Sequence, residues 1–213
     1  MPYAFRLLFI ASVVLAGCGG GSRPAVTEAP PADAPLNSFA ATRVIVLPAQ
    51  RAVDGIAWGT KAGVPRVLLA SIDSSLEAAI REKGVTAWVM ASELARTARR
   101  NPTYATNPAE IRAGDAVRFL ERSRDSNIPE PVASQLRALA GFHDARYALI
   151  PVEVRFEAGS ASGTGRGVLR MAILDVRGSR LVFIGDIQGP DLPDYTPTLG
   201  ATLARRFADL VVP

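Results

Sequence analysis

The sequence has one cysteine, Cys18, one histidine, His143, and two lysines, Lys61 and Lys83, in 213 residues. A lone thiol closes no intramolecular disulfide, and with one imidazole there is no Cys/His cluster to hold a metal. The fold therefore has to be stable without covalent staples. Long apolar runs are equally scarce: the one ending at Cys18 is shorter than the ~20 residues that span a hydrocarbon core, and no later segment approaches that length. No Gly-x-Ser-x-Gly elbow is present to build a hydrolase nucleophile.

Arginine supplies nearly all of the positive charge, giving a net charge of +4 and pI ≈ 9.7. It forms no continuous stripe, and no strand interleaves aromatic and basic residues, so nucleic acid is not an expected partner. At the amino terminus, Arg6 precedes the apolar stretch LLFIASVVLAG, which ends in small residues. This is the layout of a secretory signal peptide over residues 1–17. Leu15, Ala16, Gly17 and Cys18 resemble the bacterial lipobox. That resemblance implies cleavage before Cys18 and acylation of both its sulfur and its new amino terminus, making Cys18 the lipid attachment residue. Each buried methylene contributes roughly 0.8 kcal/mol, so several chains on one residue anchor stably where one would exchange. Gly19 stands where an aspartate marks inner-membrane retention in lipobox proteins. The expected location is therefore the inner leaflet of the outer membrane, facing the periplasm.

Residues 18–38, from the cysteine through GGGSRPAVTEAPPADAPLNS, have almost no large apolar side chain and are expected to form a flexible tether. Residues 39–213 are expected to form one domain. Val44–Leu47 reads as a buried strand, and residues 49–65 as a loop that tucks Ile56 and Trp58 onto the core. Ile72, Leu76, Ala79 and Ile80 mark a helix from about Ser71 that stops at Lys83 and Gly84. Residues 85–90 read as a strand, followed by a helix capped by Ser92. Residues 101–131 are expected to be an irregular or helical embellishment, with Val117 and Leu120 inward. A further helix carries Val132, Leu136, Leu139 and Ala140. The strand ARYALIPVEVRFE and the hairpin GRGVLRMAILDV/RLVFIGDIQG follow it. The chain closes on a helix with Leu199, Leu203, Phe207 and Leu210 inward. The expected class is mixed α/β: a five-stranded sheet with helices packed on it.

LRALAGFHDARYALIPVEVRFEAG, then GVLRMAILDVRGSRLVFIGDIQG and the closing helix resemble a domain found in three bacterial proteins. These are the curli-secretion lipoprotein CsgG, the penicillin-binding-protein activator lipoprotein LpoB and the amino-terminal part of TolB. RVIVLP is similar to the opening strand of that superfamily, and Asp175, Val176, Arg177 and Gly178 stand at the matching positions of its hairpin. The resemblance spans residues 43–212 outside the middle segment, with Pro151 where a glycine is usual. It implies a lipid-anchored, non-enzymatic module without cofactor or metal that docks on an envelope protein. It leaves a curli-channel-like oligomeric export subunit as one alternative and an envelope hydrolase as another.

Asp175, at the end of an apolar strand, is expected to accept backbone hydrogen bonds across the turn, and Gly178 to supply a positive φ there. His143 beside Asp144 is the place where a catalytic pair would sit, though a satisfied loop histidine is the simpler expectation. GTGRG at 163–167 precedes a strand and lacks the Lys-Ser/Thr of a phosphate loop, so it reads as a hairpin tip. Glu153 and Glu157 share a strand without a matched partner for acid/base work. Arg96, Arg99 and Arg100 crowd a helix end, a place for an anion, though complementing the helix dipole as solvated side chains is the simpler expectation.

Overall fold

β-branched residues at 44–46 form β1 (Val44–Val46), which is buried on both sides. In the computed structural model, which describes residues 34–63, 65–123 and 127–213, it follows the short α1 (Asn37–Ala40). The segment expected as a signal peptide, Cys18 and the expected tether up to residue 33 lie outside the described residues. After β1 come β2 (Ala52–Asp54), α2 (Gly59–Ala62), α3 (Pro65–Glu82) and α4 (Ala91–Arg100). A 3₁₀ turn at Pro108–Glu110 leads to α5 (Ala113–Arg122) and α6 (Val132–Phe142). The chain ends with β3 (Tyr147–Ala158), β4 (Gly165–Asp175), β5 (Arg180–Gln188) and α7 (Leu199–Val211).

The sheet runs β1-β3-β4-β5, and β2 continues the β1 edge farther along β3. β1 and β2 pair parallel with β3, at Val44↔Tyr147 and Ala52↔Val154, while β3-β4 and β4-β5 are antiparallel. It is therefore a mixed five-stranded sheet, as the sequence predicts, but with different members. Residues 52–54, read as loop, are a strand, because Val154 N–H donates to Arg51 O at 2.9 Å and draws the segment onto β3. Residues 85–90, read as a strand, make only one bridge, Ile45↔Val89. Trp88 there turns its indole Nε1 to Phe39 O at 2.9 Å, away from strand geometry.

Alternating side chains divide the core between the two faces of the sheet. On one face Val44, Val46, Leu149, Leu169, Met171 and Ile173 pack with α3 and α7 around Trp88 and Phe207. On the other, Ile45, Leu47, Ala148, Ile150, Ala172 and Leu174 pack with α4, α5 and α6. A register shift between Pro151 and Glu153 reverses the alternation of β3. Val152 belongs to the α5/α6 face, whereas Val154 and Phe156 join the α3/α7 face. Trp58 and Tyr195 meet Phe156 at ring-centroid distances of 5.9 and 5.8 Å, so the expected tucking of Trp58 is observed.

Four expectations are corrected. The domain begins earlier than residue 39: Ala34 and Leu36 are buried, and Leu36 N–H donates to Leu210 O at 2.9 Å. The described part of the segment expected as an embellishment at 101–131 belongs to the core, since Ala105, Ile111, Ala113, Ala116 and Ile128 are buried alongside Val117 and Leu120. α3 starts at Pro65, ahead of Ser71. Ser92 caps nothing either: Met90 holds the N-cap position of α4, and the Ser92 hydroxyl donates to Glu77 Oε2 at 3.1 Å.

Candidate functional site

Strand order places β5 at the margin of the sheet, where one side pairs with β4 and the other faces outward. Among the described residues no backbone–backbone hydrogen bond reaches that outer side; Ile128 N–H stops at Ser179 O, 2.9 Å away, just before the strand begins, and at the far end Arg206 Nη1 donates to Gln188 O. Val182 is 43% exposed, with Phe183 and Ile184 half-buried beside it. The strand is guarded by Arg180 and Asp186, by Gly185 and by a register shift opposite Ile173/Leu174, devices that discourage indiscriminate strand pairing. Even so, the edge from Arg180 to Ile187 has no partner strand among the described residues and can accept an extended segment in register.

Behind this edge the outer half of the sheet carries ions where helices leave it open. Reversal of the β3 alternation turns Glu153, Arg155 and Glu157 to the α5/α6 side. Arg155 Nη2 lies 2.7 Å from Asp186 Oδ2, and its Nε lies 3.2 Å from Glu157 Oε2. Arg166 holds Glu157 at 2.9 Å, and Arg170 holds Asp186 at 2.9 Å while reaching Glu121 of α5 at 3.3 Å. Burial pushes the Asp186 carboxyl up, but hydrogen bonds from Arg155 and Arg170 more than offset it, leaving the group below its ordinary range. Glu157 follows the same balance, with Arg166 and Arg155 outweighing burial. Carboxylates held ionised in this way carry no proton at neutral pH and cannot act as general acids. The Glu-x-Arg-x-Glu alternation at 153–157, with arginines at 166 and 170, was the sequence signal for this network, which the sequence reading of Glu153 and Glu157 did not draw.

Asp175 and Gly178 are brought together. The Asp175 side chain, 1% exposed, accepts from Gly178 N–H at 2.8 Å and from Arg146 Nη2 and Nε at 2.8 and 3.2 Å. Hydrogen bonding from Arg146, followed by Gly178 N–H, outweighs burial and holds its carboxyl below the ordinary value. The positive φ expected at Gly178 is instead at Ser179, with φ 51°. Close approach is what requires the glycine, since a Cβ there would lie 2.8 Å from Asp175 Oδ2.

His143 and Asp144 diverge. His143 Nε2 meets Thr97 Oγ1 at 3.0 Å, and its carbonyl accepts from Arg43 Nη1 at 3.2 Å, whereas Asp144 adopts φ 47° and pairs with Arg177 at 3.1 Å. Burial lowers the His143 pKa, with Glu93 and Arg43 acting in opposite directions. Residues 160–164 form the β3-β4 hairpin tip, held where Ser160 N–H donates to Asp191 Oδ2 at 2.7 Å. Arg96, Arg99 and Arg100 are exposed on α4 and form no ion pair among the described residues. Nor do the described residues bring three or more His, Cys, Asp or Glu together as metal ligands.

The fold and edge define a mixed α/β domain with helices on both faces of its sheet. No protein-family model matches the chain, and no curated protein matches its sequence. Solved structures that it resembles include the LpoB C-terminal domain from Salmonella enterica, at 13% identity and TM-score 0.40 over 73% of this chain and 93% of that one. The lipoprotein GNA1162 from Neisseria meningitidis matches at 14% identity and TM-score 0.38, over 80% and 97%. A PelC dodecamer from Paraburkholderia phytofirmans matches at 10% identity and TM-score 0.36, over 81% and 90%. LpoB is one of the three proteins whose shared domain the sequence resembles.

Proposed function

We propose that the chain is a non-enzymatic interaction module of the bacterial cell envelope, anchored by lipid on Cys18 and docking on an envelope assembly. Its site is the outer edge of β5, and its partner is an extended protein segment that pairs with that strand. The lipobox at 15–18 supports the location. The observation that carries the docking reading is β5 itself, whose outer backbone, apart from Gln188 O held by Arg206, has no partner strand among the described residues. Main-chain hydrogen bonds would supply affinity there, and the side chains around Val182 specificity.

A photo-crosslinking residue at position 182, tested in the native host, should give one discrete adduct with another envelope protein. The same residue at Tyr104, 74% exposed and outside β5, should not. With that partner purified, backbone amides of β5 should exchange more slowly in the complex. Unchanged β5 exchange would refute the edge as the site, and an adduct of the chain with itself would replace docking by self-assembly.

A further inference from the structure

We infer that the cleft between the β1-β2 connection and the start of α5 is an oxyanion site that takes a phosphate group. The cleft has a volume of ≈ 300 Å³ and is lined by Arg51, Arg112 and Arg118, with Gln50, Ile111 and Asp115. These residues are distant in sequence, and folding fixes them together. Gln50 N–H donates to Pro151 O at 3.0 Å, and Arg51 O accepts from Val154 N–H at 2.9 Å, so the connection is pinned to β3. The first turn of α5 presses on it: a Cβ at Gly114 would lie 3.2 Å from Gln50 Cβ and 3.4 Å from Val152 O.

Arg118 is the deep member. Its Nη2 donates to Asp115 Oδ1, while its Nη1 is buried with no hydrogen-bond partner among the described residues. A charged N–H enclosed without an acceptor is costly, and an oxyanion in the cleft would relieve it. Arg51 and Arg112 are exposed at the rim and make no ion pair among the described residues. Arg112 also holds the N-cap position of α5 without capping it.

Three guanidinium groups against one carboxylate leave an excess of two positive charges. A carboxylate offers one charge and two oxygens. A phosphate monoester brings a charge of about −1.5 to −2 and three acceptor oxygens, enough to engage all three arginines. Phosphate is therefore the better match in charge and in bonds. The site lies away from β5, and its success or failure is independent of the docking reading.

Calorimetric titration of the purified full-length chain in detergent, at fixed ionic strength and pH 7.5, tests it with inorganic phosphate, glycerol 3-phosphate and acetate. Saturable binding of a phosphate compound is expected, with acetate much weaker. Arg118→Gln and Arg112→Gln should each weaken binding about tenfold, as loss of one charge-assisted hydrogen bond predicts. An Arg96→Gln/Arg100→Gln variant should bind normally. Arg112 is exposed, so its substitution reports on binding even where Arg118→Gln perturbs folding. Tighter glycerol 3-phosphate binding would support the site and identify a lipid-headgroup ligand, and tighter inorganic phosphate binding a free anion. Absence of saturation, acetate equal to phosphate, or equal weakening by the α4 substitutions would overturn the site.

Discussion

Asp73 Oδ1 accepts a 2.7 Å hydrogen bond from the backbone N–H of Ala49, tying the middle of α3 to the connection between β1 and β2. Burial pushes the Asp73 carboxyl up to about 6, and the Ala49 bond offsets this only in part. A carboxyl with a raised folded pKa binds protons more tightly in the native state. Its stabilising contribution is thus full below the unfolded value near 3.8 and is lost as pH rises through about 6. Asp73→Asn keeps an acceptor and removes the charge. Relative to the parent chain, its unfolding free energy should rise between pH 4.5 and 7.5 by about 2 kcal/mol in urea titrations. His143, lowered by burial, contributes to the pH dependence of stability with the opposite sign. Comparing the two proteins at each pH cancels that contribution, and a difference flat with pH would refute the prediction.

The buried Asp175 carboxylate anchors the β4-β5 turn through Arg146 and Gly178 N–H. Asp175→Ala should destabilise the fold by about 2 kcal/mol, because both donors lose their acceptor. Gly178→Ala should cost about 1 kcal/mol by forcing its methyl against that carboxylate. Thermal unfolding of the single and double variants checks the coupling. Full additivity would show that Gly178 does not act through Asp175.

Leu36 is 2% exposed and packs in the cluster that holds α7. Leu36→Ala should lower stability by about 2–4 kcal/mol. A chain beginning at residue 34 should melt clearly above one beginning at residue 39. Equal melting temperatures would return residues 34–38 to the tether.

Replacing Cys18 with alanine removes the sulfur that the lipobox reading acylates. The variant should leave the membrane fraction and lose incorporation of labelled fatty acid, since no helix among the described residues is long and apolar enough to cross a membrane. Membrane retention resistant to alkali and salt would count against the anchor.

Helices with a clean apolar stripe were readable from sequence: Ile72, Leu76 and Ile80 of α3, and Leu199, Leu203 and Phe207 of α7, are all buried. So were the strands of the carboxy-terminal hairpin. β2 was not, because three residues paired parallel to a distant strand leave no periodic trace. VTAWVM has strong strand propensity, yet Trp88 is committed to Phe39 O and pairing ends after Val89. Propensity yielded there to tertiary packing. The start of the domain was obscured by composition, since Leu36 is one apolar anchor in a segment of Pro, Ala and Asp. The arginine cleft was invisible because Arg51, Arg112 and Arg118 meet only after α5 docks on the β1-β2 connection. Asp175 stood out because a carboxylate ending an apolar strand requires partners close at hand.

The register shift between Pro151 and Glu153 sets how this domain can tolerate changes in length. Deleting one residue there would undo the phase change in β3. Glu153, Arg155 and Glu157 would then rotate toward Trp58 and Tyr195, and Val154 and Phe156 would turn into the ion network. A residue added or lost at the hairpin tip, Ser160 to Thr164, would alter only a surface connection. Length variation among descendants of this chain should therefore accumulate at the tip and be purged at the midpoint of the same strand.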